Sequence, residues 1–323
     1  MNYMNENQLM ARAAWLYYNA GFNQEETSRR MGLTRARVNK LLSQARQSGL
    51  VSISINERDI GLLAEEEAIR AAFGLEFCIT TPALGIDGIW TDALNALTFN
   101  MVGAAAAQFL RDTLQAKPDA VIGTGWGRTL DQVSRNMSGV SAPRAKFVSL
   151  MGSLTSNSSF NPFEVVQALA QATGAEGYFL PAPFIADSAE DRDVFTAQRG
   201  ISTIMDMAHD ADLALVSVGE LTETSLLRTQ NMITDAELQS LRAAGAIADT
   251  NGTFFDAKGV TLQHDLNRRS IAVGFEQLRT LRIVLLSAGP SKVAATKAVL
   301  KSGAIRGLII DGDSARRLSA ALD

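Results

Sequence analysis

Ala120-Val121-Ile122-Gly123-Thr124-Gly125-Trp126-Gly127-Arg128-Thr129 is the stretch on which the fold turns. Residues 120–123 read as a short buried strand; three glycines at 123, 125 and 127 follow, and then a helix begins. A strand that runs straight into a glycine-rich turn and a helix brings backbone N–H groups close to one point, and the helix end adds partial positive charge there. Gly123, Thr124, Gly125, Trp126, Gly127, Arg128 and Thr129 are therefore candidate effector-binding residues, suited to a phosphate or a polyol oxygen. The spacing fits neither GxxxxGK[ST] nor GxGxxG, so it does not point to a nucleotide. A packing turn without any ligand is the plainer alternative.

Outward from this turn, the same order of apolar strand and amphipathic helix recurs. Strands are predicted over 120–123, 146–151, 213–218, 282–287 and 307–310, with helices over 62–73, 90–115, 163–172, 194–208, 235–244, 292–301 and 314–322. Strand alternating with helix implies a largely parallel sheet covered on both faces. In such a sheet ligands sit beyond the carboxyl ends of the strands. Two more loops fall there. Met151-Gly152-Ser153-Leu154-Thr155-Ser156-Asn157 offers hydroxyls and amides, which makes Gly152 and Ser153 candidates for sugar hydroxyls. Ser287-Ala288-Gly289-Pro290-Ser291-Lys292 opens a helix with Lys292 in its first turn, against the helix dipole, which an anionic partner would offset. Asp249 and Asp256 flank the turn Asn251-Gly252 and can accept hydrogen bonds from hydroxyls, although an Asp beside a turn is more often structural.

The first 56 residues have a different character. They carry seven Arg and Lys against three Glu, a net +4, which leaves −8 on the remainder of a chain whose total is −4. Leu9, Ala13, Leu16, Tyr17 and Ala20 lie on one helical face, and Asn23 can cap a second helix through Met31. Gly32-Leu33-Thr34 makes a tight turn, and Thr34 can cap a third helix running from Arg35 to about Gln47. This is the pattern of a helix-turn-helix, in which the third helix enters the DNA major groove. Thr34, Arg35, Arg37 and Asn39 are the candidate base readers, and Arg29, Arg30, Lys40 and Arg46 the candidate phosphate contacts. The alternating Leu50-Val51-Ser52-Ile53-Ser54-Ile55 reads as a wing strand. A helical oligomerisation bundle with a basic face is the alternative.

Composition limits the remaining choices. With 323 residues and 46% hydrophobic residues the chain can build a small and a large domain, expected at 1–56 and 57–323. The N-terminus lacks the basic and apolar regions of a secretory signal, and no run of about 18 uncharged apolar residues appears, so the expected location is cytoplasmic with no membrane partner. One cysteine, Cys78, and two histidines give no basis for a disulfide or a metal site, and no cofactor is expected.

Five pieces in one order carry a family likeness: Leu33-Thr34-Arg35; Gly123-Thr124-Gly125-Trp126-Gly127; Leu180-Pro181-Ala182-Pro183 with Ser188-Ala189-Glu190-Asp191; Gly252-Thr253-Phe254-Phe255-Asp256; and Gly289-Pro290-Ser291-Lys292. Over almost its full length the chain resembles the SorC family of sugar-responsive transcriptional regulators. The resemblance implies an α/β fold class: an N-terminal helix-turn-helix (winged-helix-like) domain plus a large Rossmann-like effector domain resembling sugar-phosphate isomerases. It further implies operator DNA and a small sugar, polyol or sugar-phosphate effector as partners, and a homo-oligomer, usually a tetramer. Carried over residue by residue, the phosphate loop falls on Gly125, Trp126, Gly127 and Thr129, the effector carboxylate on Asp249 and the effector lysine on Lys292. An isomerase or deaminase enzyme is the alternative reading of the same residues, since Lys292 and Asp249 could serve imine or proton-transfer chemistry.

Overall fold

A computed structural model describes residues 5–51, 62–86, 88–137, 139–153 and 161–322. The chain divides into two compact units, Met1–Ile55 and Asn56–Asp323.

In the first unit, α1 (Glu6–Ala14) begins three residues before the apolar stripe, because Asn5 and Gln8 form a reciprocal capping box. It continues into a π-helical turn, Trp15–Asn19, so the single helix expected over this stretch has two hydrogen-bonding patterns. The second helix, α2 (Gln24–Met31), starts with a capping box between Asn23 and Glu26 and stops at Gly32, which is left-handed at φ 65°. Helix α3 (Arg35–Gln47) starts at Thr34, whose hydroxyl accepts from the Arg37 N–H at 3.2 Å. Ala13, Ala14, Val38, Leu41, Leu42 and Ala45 form the core of this unit. The wing strand expected over 50–55 lies mostly outside the described residues; Val51 packs on the core and Leu50 is exposed.

The second unit is built on a seven-stranded, wholly parallel sheet. Its strands are β1 (Phe77–Thr80), β2 (Val121–Thr124), β3 (Lys146–Ser149), β4 (Glu176–Tyr178), β5 (Leu213–Ser217), β9 (Ile283–Ser287) and β10 (Ile305–Ile310). They lie in the order β1-β10-β9-β5-β2-β3-β4. The remaining strands, β6 (Gly219–Glu220), β7 (Ala248–Thr250) and β8 (Thr253–Phe255), form a small antiparallel sheet. Five strands of the main sheet were legible as apolar runs. β1 and β4 were not, because each is a four- or three-residue edge strand, and β4 reads Glu-Gly-Tyr. The small sheet was missed as well. Asn251-Gly252 is its hairpin turn, with positive φ at both residues (47° and 72°), the combination that lets a two-residue loop follow the twist of the strands.

Helices cover both faces. Helices α4 (Leu63–Phe73), Val293–Lys301 and Gly312–Ala320 pack Ile69, Ala295, Val299, Ala315 and Leu318 on one side. Helices α5 (Asp92–Ala116), α6 (Arg128–Arg135) and α7 (Pro162–Thr173) pack Val102, Leu110, Leu130, Val133, Val165 and Leu169 on the other. Among the described helices α5 alone is long and apolar enough to cross a bilayer, and its Thr98, Val102, Ala106 and Leu110 are buried against the sheet. The single helix expected over 194–208 is two, Ala189–Thr196 and Arg199–His209. Ser188 caps the first, and Gln198 is extended (ψ 130°) between them. Lys292 also lies differently from expectation: Pro290–Lys292 is a 3₁₀ turn, and the α-helix starts at Val293.

Candidate functional site

The strand order reverses between β2 and β5. From β2 the chain winds outward through β3 to β4, and β5 returns to the other flank of β2 before the sheet grows toward β9 and β10. The loops leaving β2 and β5 therefore part in opposite directions and open a crevice at their carboxyl ends. A cleft of about 560 Å³ lies there. Trp126, Gly127, Arg128 and Thr129 line it from the turn after β2 and the start of α6; Ser217 from the end of β5; Gly219 and Glu220 from β6; Pro290, Ser291 and Lys292 from the loop after β9. Asp249 enters from the small sheet, and Trp90, Asp92, Asn95 and Phe99 from α5 and the segment before it.

Of the expected effector residues, the structure brings Trp126, Gly127, Arg128, Thr129, Asp249 and Lys292 together. It gives the others packing roles. Gly123 and Thr124 are strand residues of β2: a Cβ on Gly123 would stand 2.6 Å from Leu150 Cδ2, and the Thr124 hydroxyl is buried with no partner among the described residues. Gly125 donates its N–H to Leu215 at 2.9 Å, which ties the start of the turn to β5. Gly152 and Ser153 follow β3, on the flank of β2 away from β5, so they face a different neighbour. Gly152 donates to the Ile271 carbonyl at 2.8 Å, and a Cβ there would lie 2.2 Å from the Pro183 carbonyl oxygen. Ser153 donates its N–H to Ala182, while residues 154–157 of that loop lie outside the described residues. Asp256 turns back into its own loop and accepts from the Lys258 and Val260 N–H groups, the structural role that a turn Asp usually has.

Electrostatics mark the floor of the cleft. Asp249 is 4% exposed, and burial with Glu220 nearby pushes its carboxyl up to about 7, while the Lys292 charge pulls the other way. Lys292 donates to the Val218 carbonyl at 2.9 Å, and burial lowers the pKa of its ammonium. The turn after β2 is held by Ser217, which donates to the Trp126 carbonyl at 2.7 Å, and the Trp126 indole is buried among Phe184, Leu221 and Leu227. Residues from α5 were not expected here. Phe99 and Asn95 carry no motif, and the long loop between β1 and α5 brings them in; only the Thr91 cap of α5, accepting from the Leu94 N–H at 3.3 Å, fixes where that helix starts.

In the first unit, Arg29, Arg35, Asn39, Lys40 and Arg46 are exposed, on the faces away from the core. Arg37 is not free: its Nη2 donates to both oxygens of Glu6, at 2.6 and 2.8 Å. Arg35 donates to the Gln24 side chain at 3.3 Å, and Arg30 lies over the Phe22 ring at 3.9 Å.

An open parallel sheet with a polar cleft lined by acidic and basic side chains at its switch point, in one chain with a cationic three-helix unit, defines the class of regulator that joins a ligand-binding domain to a basic helical module. The chain belongs to the putative sugar-binding domain family, which it matches over residues 58–319, and thereby to the SorC-type sugar-responsive transcriptional regulators that the sequence resembles. It is 37% identical to the erythritol catabolism regulatory protein EryD of Brucella abortus (strain 2308), over 97% of this chain and 96% of that protein. It is 28% identical to the deoxyribonucleoside regulator of Bacillus subtilis (strain 168), over 96% and 97%. The full-length sorbitol operon regulator SorC of Klebsiella pneumoniae shares its fold with a TM-score of 0.70 at 20% identity, over 96% of this chain and 98% of that one.

Proposed function

We propose that residues 1–56 read operator DNA and that residues 57–323 bind a small sugar, polyol or sugar phosphate that switches this reading. The observation that carries it is the meeting of Arg128, Asp249 and Lys292 in one cleft at the switch point, with a cationic α3 elsewhere in the same chain. In this reading α3 enters the major groove, with Thr34, Arg35, Arg37 and Asn39 toward base edges and Arg29, Arg30, Lys40 and Arg46 toward phosphates. Within the cleft, Arg128 and Lys292 take the anionic group, the Gly127–Thr129 turn adds donors, and Asp249 with Glu220 takes hydroxyls. The name of the Brucella relative directs attention to a four-carbon polyol or its phosphate.

The assembly proposed is a homotetramer in the cytoplasm. Effector binding alters the spacing of paired recognition helices, which half-sites about 34 Å apart per helical turn would register. The cleft is proposed to bind its ligand without converting it, a reading supported by the regulatory names of the relatives.

Fluorescence anisotropy on DNA from upstream of the protein's own operon tests the whole reading. The expected result is binding at low salt that a member of a sugar, polyol and sugar-phosphate panel strengthens or releases, without turnover of that compound. Absence of binding under every condition, or steady conversion of a sugar phosphate, overturns it.

A further inference from the structure

Two cations of the cleft sit where the backbone does not favour them. Arg128 is the first residue of α6, and Lys292 immediately precedes the helix Val293–Lys301, so each stands at a positive helix end. Burial and the charge of Arg128 disfavour the Lys292 ammonium, while Glu220 and Asp249 favour it. Among the described residues no carboxylate lies within ion-pair reach of Arg128. What they share is an aromatic ring. Phe99, 9% exposed on α5, has the Arg128 Cζ 5.6 Å and the Lys292 Nζ 5.5 Å from its centroid. The negative face of an aromatic ring attracts a cation within about 6 Å. One ring here serves two, from two different strand-end loops.

We infer that Phe99 is the positioning residue that holds Arg128 and Lys292 together as a paired cation site, so that the cleft selects ligands bearing a doubly charged anionic group over neutral polyols. The inference rests on the effector reading above. Without a ligand, Glu220 and Asp249 favour the Lys292 charge, and the ring is the group that attracts both cations at once. With one, a dianion between them replaces that weak attraction by two charge-assisted contacts. Phe99 itself touches neither motif residue in sequence, and its ring belongs to the core cluster that fixes α5 on the sheet, so its placement is rigid.

The test uses the full-length protein and inorganic phosphate at pH 8, read by isothermal titration and thermal shift, with glycerol as the neutral probe. Phe99→Leu keeps an apolar side chain in the core, and Phe99→Tyr keeps the ring. The expected result is phosphate binding by the wild type, a loss of about tenfold in F99L and recovery to within about threefold in F99Y. Glycerol binding, where present, is the same in all three. Circular dichroism melts confirm that each variant folds. Equal phosphate affinity in F99L and wild type overturns the inference, as does an equal loss in F99L and F99Y, which would assign Phe99 to packing alone. If the wild type binds a neutral sugar or polyol but no phosphate, the inference fails while the effector reading stands. If it binds neither, both fail.

Discussion

Asp249 and Lys292 are driven toward neutrality from opposite sides by the same cause, removal from water, against the opposing pull of each other's charge. For Asp249 the consequence for stability has a definite sign. Its folded pKa, about 7, lies above the unfolded value of 3.8, so between these values the folded state holds a proton that the unfolded state has released. This group therefore makes the protein less stable as pH rises from about 4 to 7, by up to about 4 kcal/mol, with no further change above that window. Denaturant titrations of the wild type and Asp249→Asn across this range should diverge steadily, the variant gaining relative stability as pH rises; parallel curves would show that the carboxyl is ordinarily ionised. Lys292→Ala is expected to leave DNA binding without effector intact and to remove the thermal stabilisation by ligand, about 2.7 kcal/mol at a hundredfold excess over Kd.

At the scale of elements, the caps and turns fix what the apolar pattern only outlines. Thr34 closes the first turn of α3, and Thr34→Ala should cost about 1 kcal/mol in the stability of the first unit, measured by its thermal transition. The β7–β8 hairpin depends on Gly252. With φ 72° and a hypothetical Cβ 2.3 Å from Ser270 Oγ and 2.9 Å from the Phe184 ring, Gly252→Ala combines backbone strain with overpacking and should destabilise by about 2 kcal/mol or more. Because β7 carries Asp249, the same change should weaken effector binding; a variant that melts earlier yet titrates normally would separate hairpin from cleft. These elements were unequally legible. A capped helix such as α2 announces both ends in sequence, whereas β4 and β6 are too short and too polar to produce a strand period, and exist because a neighbouring strand offers hydrogen bonds.

For the whole molecule, the two units carry opposite net charge, and only the first is suited to a polyanion. Arg37→Ala should lower DNA affinity and reduce the slope of log affinity against log salt by about one if Arg37 meets a phosphate, or leave the slope and relax one operator position if it meets a base. Either outcome requires Arg37 to exchange its Glu6 partner for DNA, so a variant that binds like the wild type would remove Arg37 from the interface. The sequence by itself determined the division into a basic helical unit and an acidic α/β body, five strands of the main sheet, and the glycine turn that follows β2. These are local properties, fixed by apolar period, caps and residues that tolerate positive φ. Only the tertiary structure decided which strand-end loops face one another. Strand order placed the turns after β2, β5 and β9 around one cleft, sent Gly152 and Ser153 to another flank, and brought in Phe99 and Glu220 from segments with no motif. Adjacency across a parallel sheet is set by the crossovers between strands, and no window of sequence contains both sides of that contact.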